Sequence, residues 1–265
     1  MTERETFLRA ICDDPADDTA RMVFADWLEE HGEPARAEFI RVEVRIANRN
    51  PDDESDDRRR AALFARRAAL LKAHAREWLE PFVGCARESG FERGFVAEVE
   101  ATADTFLTHG ERWMTLTPLT RVRFIGTLVL AADAAEPSCY RAGQLFTCPL
   151  LARLETIDLE TNHINPDDMR RLAAYPDLSR LRELVLAWNR LGSEGAAILA
   201  GMPQLRGLEE LNLLGNGITG AGARALAQSR YLSHLEHLFL GGNRFAEDST
   251  ALLALRSRFN GRVIV

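Results

Sequence analysis

Residues 154–164 read LETIDLETNHI, 181–191 LRELVLAWNRL, 208–218 LEELNLLGNGI and 235–245 LEHLFLGGNRF. All four follow Leu-x-x-(Leu/Ile)-x-Leu-x-x-Asn and recur every 27 residues, so Asn162, Asn189, Asn216 and Asn243 occupy one register. Leu154, Leu181, Leu208 and Leu235 open the units; Leu159, Leu186, Leu213 and Leu240 follow five residues later. Beyond each Asn come Ile164, Leu191, Ile218 and Phe245, and further on Leu172, Leu199, Leu226 and Leu253, each followed by alanine. The alternating Leu-x-Leu part predicts a short strand with one buried side. Ser193 to Ala200 and Thr219 to Gln228 begin with a hydroxyl residue as helix cap and space their apolar residues as a helix does. A unit of this size cannot bury its apolar side alone, so successive units must stack.

The Asn marks where the chain leaves the strand, and its amide both donates to and accepts from backbone groups that no ladder satisfies. Stacked, the four predict a structural polar row. These residues resemble the leucine-rich repeats. The 27-residue length with a full helix is similar to the ribonuclease-inhibitor-like subclass. The resemblance implies an α/β solenoid with parallel strands on the concave side and helices on the convex side.

Upstream the phase weakens. Leu145 and Leu151 keep register with Leu172 and Leu178, but the strand candidate Leu119 to Val122 and Phe124 is displaced by an insertion. An earlier unit runs from Phe95 and Val99 through a helix near Ala103 to Met114. About six strands are expected, the first two irregular, and the closing Arg262-Val263-Ile264-Val265 is in phase with a short final edge. The solenoid is assigned to 91–265, regular from about 150.

Residues 1–50 predict a small α-helical module. Thr2 with Glu5 is a capping box for a helix carrying Phe7, Leu8 and Ile11, which stops before Pro15. Asp18 or Thr19 caps a second helix through Met22, Val23, Trp27 and Leu28 to Gly32, and Pro34 opens a third with Phe39, Ile40 and Val44 inward. The run FLRAICDDPADDTARMVFADWLEEHGEPARAEFIRVEV, residues 7–44, resembles the repeat-companion domain that precedes repeats in large paralogous families of planctomycete-type bacteria. FERGFV at 91–96 and RFNGRV at 258–263 are similar to the way such proteins enter and leave their repeats. This resemblance implies no biochemical activity.

Residues 51–90 are assigned to an acidic linker, PDDESDD, and an amphipathic helix. Phe64, Ala68, Leu71, Ala75, Trp78 and Phe82 form its apolar stripe, expected to pack on the first repeat as a cap. Arg59, Arg60, Arg66, Arg67, Lys72 and Arg76 form the opposite surface, either solvated or a grip for an acidic partner, an RNA backbone or a membrane surface.

Chemistry-bearing motifs are weak. Asp13, Asp14, Asp17 and Asp18 cluster near Arg21, but their spacing matches no calcium loop, and acidic residues at a helix start follow from its dipole. Arg21, Asp26, Glu38 and Arg41 are expected to form ion pairs between helices. The six histidines form no HExxH, and neither G-x-S-x-G nor G-x-x-x-x-G-K occurs. No catalytic residue, cofactor or metal site is therefore assigned. The four cysteines, Cys12, Cys85, Cys139 and Cys148, lack C-x-x-C spacing and read as reduced thiols. The charged opening MTERETFLRAICDD lacks a signal-peptide core, which sets a cytoplasmic expectation. No apolar run reaches membrane-spanning length, and a net charge of -7 argues against general nucleic-acid binding.

Strand parity supplies the candidate binding surface. Side chains between the buried leucines form three rows on the concave side: Asp158, Val185, Asn212, Phe239; Thr156, Glu183, Glu210, His237; and Glu160, Ala187, Leu214, Gly241. Trp188 lies at the rim. Partner contacts are assigned to Asp158, Glu160, Glu183, Val185, Trp188, Glu210, Asn212, Leu214, His237 and Phe239, with Trp188, Leu214 and Phe239 as exposed anchors. The expected function is a non-enzymatic protein-interaction scaffold. The rivals are a regulator covering an enzyme's active site and a metal- or nucleic-acid-binding role of the N-terminal part.

Overall fold

The computed structural model describes residues 1–48, 57–84, 86, 88–125, 143–245, 249–259 and 263–264. The linker 51–56, Cys85, Cys139 and most of the insertion after Phe124 lie outside the described residues. The chain divides into two compact units, one of Met1–Val99 with His109–Leu119, the other of Glu100–Thr108 with Thr120–Val265.

In the first unit, α1 (Glu3–Asp13) begins with the reciprocal capping box. The Glu5 amide donates to Thr2 Oγ1 at 3.2 Å and the Thr2 amide to Glu5 Oε2 at 2.7 Å. Helix α2 (Asp18–Glu30) is capped by Asp17, one position before the expected residue, because the Asp17 carboxylate reaches the Thr19 amide at 2.8 Å. Gly32 ends it at φ +86, where the Glu33 amide returns to the Leu28 carbonyl at 2.8 Å. Pro34 then opens α3 (Pro34–Ala47).

Ile11, Phe24, Ala25, Leu28, Ala37, Ile40, Val44 and Phe95 form one core cluster. Val23, expected on the apolar side of α2, is exposed, and Phe24 fills the interior instead. Arg41 reaches Asp26 at 2.6 Å and Glu29 at 2.7 Å, and Glu38 receives Arg66 at 2.5 Å. Arg21 departs from the expected ion pairing. It is buried, donates to the Asp17 carbonyl at 2.9 Å and lies over the Phe95 ring, and burial pushes its pKa down. The charges of Asp18 and Glu92 oppose that shift without outweighing the desolvation.

Helix α4 (Asp57–Trp78) packs on α3, and the expected stripe holds at half-buried Leu71, Ala75 and Trp78 and at buried Phe82 but fails over its first turns. Leu70 is buried and Leu63, Arg67, His74 and Trp78 are half-buried, whereas Phe64 and Ala68 are exposed. In those first turns Arg67 instead faces α3 and pairs with the buried carboxylate of Glu43. Arg66 and Arg67 therefore do not belong to a free basic surface. Trp78 closes the packing, its ring 4.7 Å from Phe39, with the Arg36 guanidinium over both rings and over Phe91 and Phe95. Burial lowers the pKa of Arg36 to about 10.

Strand β1 (Glu88–Glu92), which the sequence pattern did not reveal, meets β2 (Phe95–Ala101) through Arg93 and Gly94, both with positive φ. Two such residues make the turn suited to a tight hairpin. A Cβ on Gly94 would stand 2.6 Å from the Ile40 Cα, so glycine is also needed for the backbone to approach α3.

The second unit carries the repeats. Strands β3 (Arg121–Phe124), β4 (Thr156–Asp158), β5 (Glu183–Val185), β6 (Glu210–Asn212), β7 (His237–Phe239) and β8 (Val263–Ile264) pair in parallel, each with the next. Thr156 pairs with Glu183, Glu183 with Glu210 and Glu210 with His237, so the 27-residue period becomes lateral strand register. Arg121 pairs with Thr156, 35 residues on, which locates the insertion between β3 and β4. Helix α5 (Ala103–Leu116) lies between β2 and β3 in the chain, and helices α6 (Pro166–Ala173), α7 (Gly192–Ala200), α8 (Gly220–Gln228) and α9 (Ser249–Phe259) pack in succession.

The leucine columns are buried without exception at the strand positions, from Leu154 through Leu240. Each side chain contributes on the order of 1.5–3 kcal/mol by leaving water. The helix column holds at Leu172, Leu199 and Leu226 but fails at Leu253, which is 65% exposed. In α9 the buried residues are Ala251, Leu255 and Phe259, and their spacing of four puts Leu253 on the opposite face.

The expected hydroxyl caps also differ. Thr219 occupies the N-cap of α8 but its side chain makes no cap bond, and Ser193 lies inside α7; Ser193 Oγ lies 2.7 Å from Thr219 Oγ1 and accepts the Thr219 amide at 3.0 Å, tying adjacent repeats together. The side chain that does cap is Asn165, which accepts the Asp167 and Asp168 amides at 2.8 and 3.3 Å while Asp168 accepts the Asn165 amide.

Candidate functional site

Where each strand ends, the backbone must turn into the next segment, and the asparagines organise that turn. Asn189 is buried and makes five bonds. Its Oδ1 accepts the Asn162 and Ile164 amides at 3.0 and 2.9 Å, and its Nδ2 donates to the carbonyls of Leu159, Leu186 and Ala187 at 2.8, 2.9 and 3.1 Å. Asn243 repeats the pattern on the Asn216 and Ile218 amides and the Leu213 and Leu240 carbonyls. Asn216 donates to Leu186 and Leu214 carbonyls, and Asn162 to those of Phe124 and Glu160. Every one of them bonds across to the preceding turn, so the row links repeats as well as closing each one.

The residue before each asparagine is left-handed in all four repeats: Thr161 at φ +58, Trp188 at +56, Gly215 at +64 and Gly242 at +70. Two repeats use glycine there, and two force a side chain into a conformation that disfavours it by about 1–2 kcal/mol. Thr161→Gly is expected to raise stability by about 1 kcal/mol, reduced somewhat by the greater freedom of glycine in the unfolded chain. Thermal unfolding checks this; an unchanged or lower midpoint would contradict the strain.

The strand face carries the rows anticipated from parity. Ile157, Leu184, Leu211 and Leu238 are buried, and their neighbours Thr156, Asp158, Glu183, Val185, Glu210, Asn212 and Phe239 are half-buried, with His237 exposed. Leu214, expected as an exposed anchor, is half-buried like Phe239, and Trp188 alone of the three stands open, at 58% exposure. Its ring lies against the next repeat: a Cβ on Gly215 would fall 2.4 Å from the indole, and one on Gly242 would be 3.9 Å away. The glycines that make the turns thus also make room for the ring.

Asp158 and Asn212 are partly spent on the scaffold. The first accepts the Glu160 amide at 2.8 Å, the second the Leu214 amide at 3.2 Å, closing the same turn in two repeats.

A residue missed in the sequence completes the acidic end. Arg123 pairs in register with Asp158 and lies 3.4 Å from the Asp158 carboxylate, 3.6 Å from Glu160 and 3.7 Å from Glu100. The parity of β3 would have found it, since Arg123 precedes buried Phe124 and follows buried Val122. Burial raises the pKa of Asp158 despite the cation nearby. Glu210 is likewise raised, by burial and then by Glu183, with His237 acting in the opposite sense. Thr156 Oγ1 donates to Glu183 at 3.1 Å.

The N-terminal acidic group disperses. Asp17 caps α2, while Asp18 takes the Asn48 amide at 2.6 Å and pairs with Arg93. Among the described residues no three His, Cys, Asp or Glu side chains are placed to hold a metal ion, and no helix is long and apolar enough to cross a membrane.

Parallel strands in 27-residue register, each followed by a helix and closed by a bridging asparagine, define a repeat protein of mixed α/β structure. The leucine-rich-repeat family model matches residues 179–200 and 205–227, two successive units of that array. The match supports a leucine-rich-repeat protein. No curated protein matches the chain.

Proposed function

We propose that this chain is a non-enzymatic protein-interaction scaffold. In this reading the repeats form a solenoid of the ribonuclease-inhibitor-like subclass whose strand side is concave and meets the partner. Residues 1–50 act as a companion module, 51–90 as linker and helix, and 91–265 as the solenoid. The observation that carries it is Trp188, an indole held open on a hydrogen-bonded framework and backed by a glycine turn. Leucine-rich repeats commonly mediate protein contacts, which agrees with this role. A preformed surface of this kind loses little conformational entropy on docking. Asp158, Glu160, Glu183, Val185, Glu210, Asn212, Leu214, His237 and Phe239 would surround the indole.

Affinity capture from native lysate, compared with Trp188→Ser/Leu214→Ser/Phe239→Ser, tests the surface. A reproducible partner should be lost from the variant while far-ultraviolet circular dichroism is retained. Retention of every captured protein would remove the strand face from consideration.

A further inference from the structure

We propose that the helix-to-strand connections around Tyr231 bind a phosphorylated polypeptide, whose phosphate monoester is held by Arg206, Arg230 and Arg258. This rests on the reading of the chain as a protein-interaction scaffold, and it names a second surface together with the chemistry of its partner.

The three guanidiniums gather at one aromatic ring and the backbone leading to it. Arg206, in the turn 203–207 before β6, has its guanidinium carbon 5.2 Å from the Tyr231 ring centre. Arg230, just past the end of α8, lies 4.8 Å from the same centre and donates to the Tyr231 hydroxyl. Arg258, in the last turn of α9, donates to the Ser229 carbonyl at 3.3 Å, and Ser229 Oγ accepts the Tyr231 amide at 3.2 Å. All three arginines are exposed, and Tyr231 is half-buried.

The repeat period explains the convergence. Gln204, Tyr231 and Arg258 are spaced by 27 residues. Gln204 donates to the Ala173 and Tyr175 carbonyls of the preceding repeat, and Arg258 makes the corresponding bond to Ser229. The third cation is thus anchored across a repeat boundary, which lowers the entropy lost when a ligand joins it.

Elsewhere in this unit Arg123, Arg170, Arg171 and Arg182 each pair with a carboxylate. Among the described residues Arg206, Arg230 and Arg258 have no carboxylate within ion-pair distance, in a chain whose net charge is -7. The Arg206 side chain makes no hydrogen bond among those residues, and Arg230 and Arg258 each spend one nitrogen, so most of their N–H donors remain open. A phosphate monoester carries a charge of about -1.5 to -2 and three terminal oxygens, which can receive forks from several guanidiniums; a carboxylate receives one. A nucleic-acid backbone needs cations repeated along its path and meets the net repulsion of an acidic chain.

The test uses the full chain and dye-labelled nonapeptide pools with a central phosphoserine, serine or glutamate and randomised neutral flanks, beside an oligothymidine of equal length. Binding is read by fluorescence anisotropy at physiological salt. The phosphoserine pool should bind about tenfold or more tighter than the glutamate pool, and the serine pool should not bind. Arg206→Gln/Arg230→Gln/Arg258→Gln should abolish that binding. Arg206→Lys/Arg230→Lys/Arg258→Lys should weaken it severalfold, because charge is kept and the planar fork is lost. The arginines are exposed, so both variants should fold; if the glutamine variant does not, the lysine variant decides. The charge-matched control Arg59→Gln/Arg190→Gln/Arg244→Gln, at exposed positions elsewhere, should leave binding unchanged.

Equal loss in the control would mean diffuse attraction and would overturn the proposal, as would equal binding of the glutamate and phosphoserine pools. Tighter binding of the oligothymidine would assign the patch to nucleic acid instead, and displacement by inorganic phosphate as readily as by unlabelled phosphoserine pool would reduce it to a free-ion site. Should no phosphopeptide bind while the captured partner is still lost from the Trp188→Ser/Leu214→Ser/Phe239→Ser variant, the phosphate inference falls and the interaction reading stands. Absence of both effects removes both.

Discussion

Asn189→Ala is expected to lower the unfolding free energy by about 3–5 kcal/mol, the largest loss of any single asparagine in the row. The side chain satisfies two amides and three carbonyls at a buried strand exit, and alanine can replace none of those bonds. Leaving a buried backbone group unpaired costs about 1–3 kcal/mol, and partial rescue by water holds the total below the simple sum. Asn162→Ala should cost less, about 1–2 kcal/mol, because two donated bonds are removed from a half-buried side chain. Urea unfolding of both variants measures the difference. Since repeats are stabilised mainly by their neighbours, Asn189→Ala should also reduce the denaturant slope as the two sides of the break separate. Equal, small losses would mean that the row is a surface feature with no part in joining repeats.

Arg67→Ala should destabilise the first unit by about 3–5 kcal/mol, because it strips the Glu43 carboxylate, which is 5% exposed, of its ion-pair partner. Glu43→Met/Arg67→Met should recover most of that loss, since the cost comes from the orphaned charge rather than from the missing pair. By contrast Arg59→Ala and Arg76→Ala, on exposed positions of α4, should stay within about 0.5 kcal/mol of wild type. Chemical denaturation distinguishes the cases. A loss at Arg67 no larger than at Arg59 would place the ion pair in solvent and undo the account of how α4 docks.

The first unit illustrates how far local pattern reaches. The Thr2 box, the Gly32 stop and the Pro34 start are each set within a few residues, and all occur where the sequence puts them. The second cap slipped by one because Asp17 and Asp18 are chemically equivalent in sequence; geometry selects Asp17, and Asp18 turns to Asn48 and Arg93. Arg21 was harder still. Its position among acidic residues suggested an ion pair, but the side chain runs inward to a carbonyl and an aromatic ring contributed from far along the chain.

In the candidate site, the rows of Glu183, Glu210 and His237 were legible by counting, whereas their exposure was not. Leu214 and Phe239 have the same parity as open positions but are partly covered, and Trp188 owes its exposure to a left-handed backbone that no propensity favours. Arg123 escaped notice because the insertion moves its strand out of the 27-residue phase.

By itself, the sequence determined the repeat: identical spacing along the chain becomes identical spacing in space when each unit stacks on the last, so leucine columns, asparagine row and strand register follow from counting. Only the tertiary structure decided how the first turns of α4 dock, which carboxylates receive Arg123, and which apolar side chains remain open. Those outcomes depend on groups remote in sequence, such as Glu43 for Arg67 or Gly215 for Trp188, and near-equivalent local choices are separated only when the distant partner is in place.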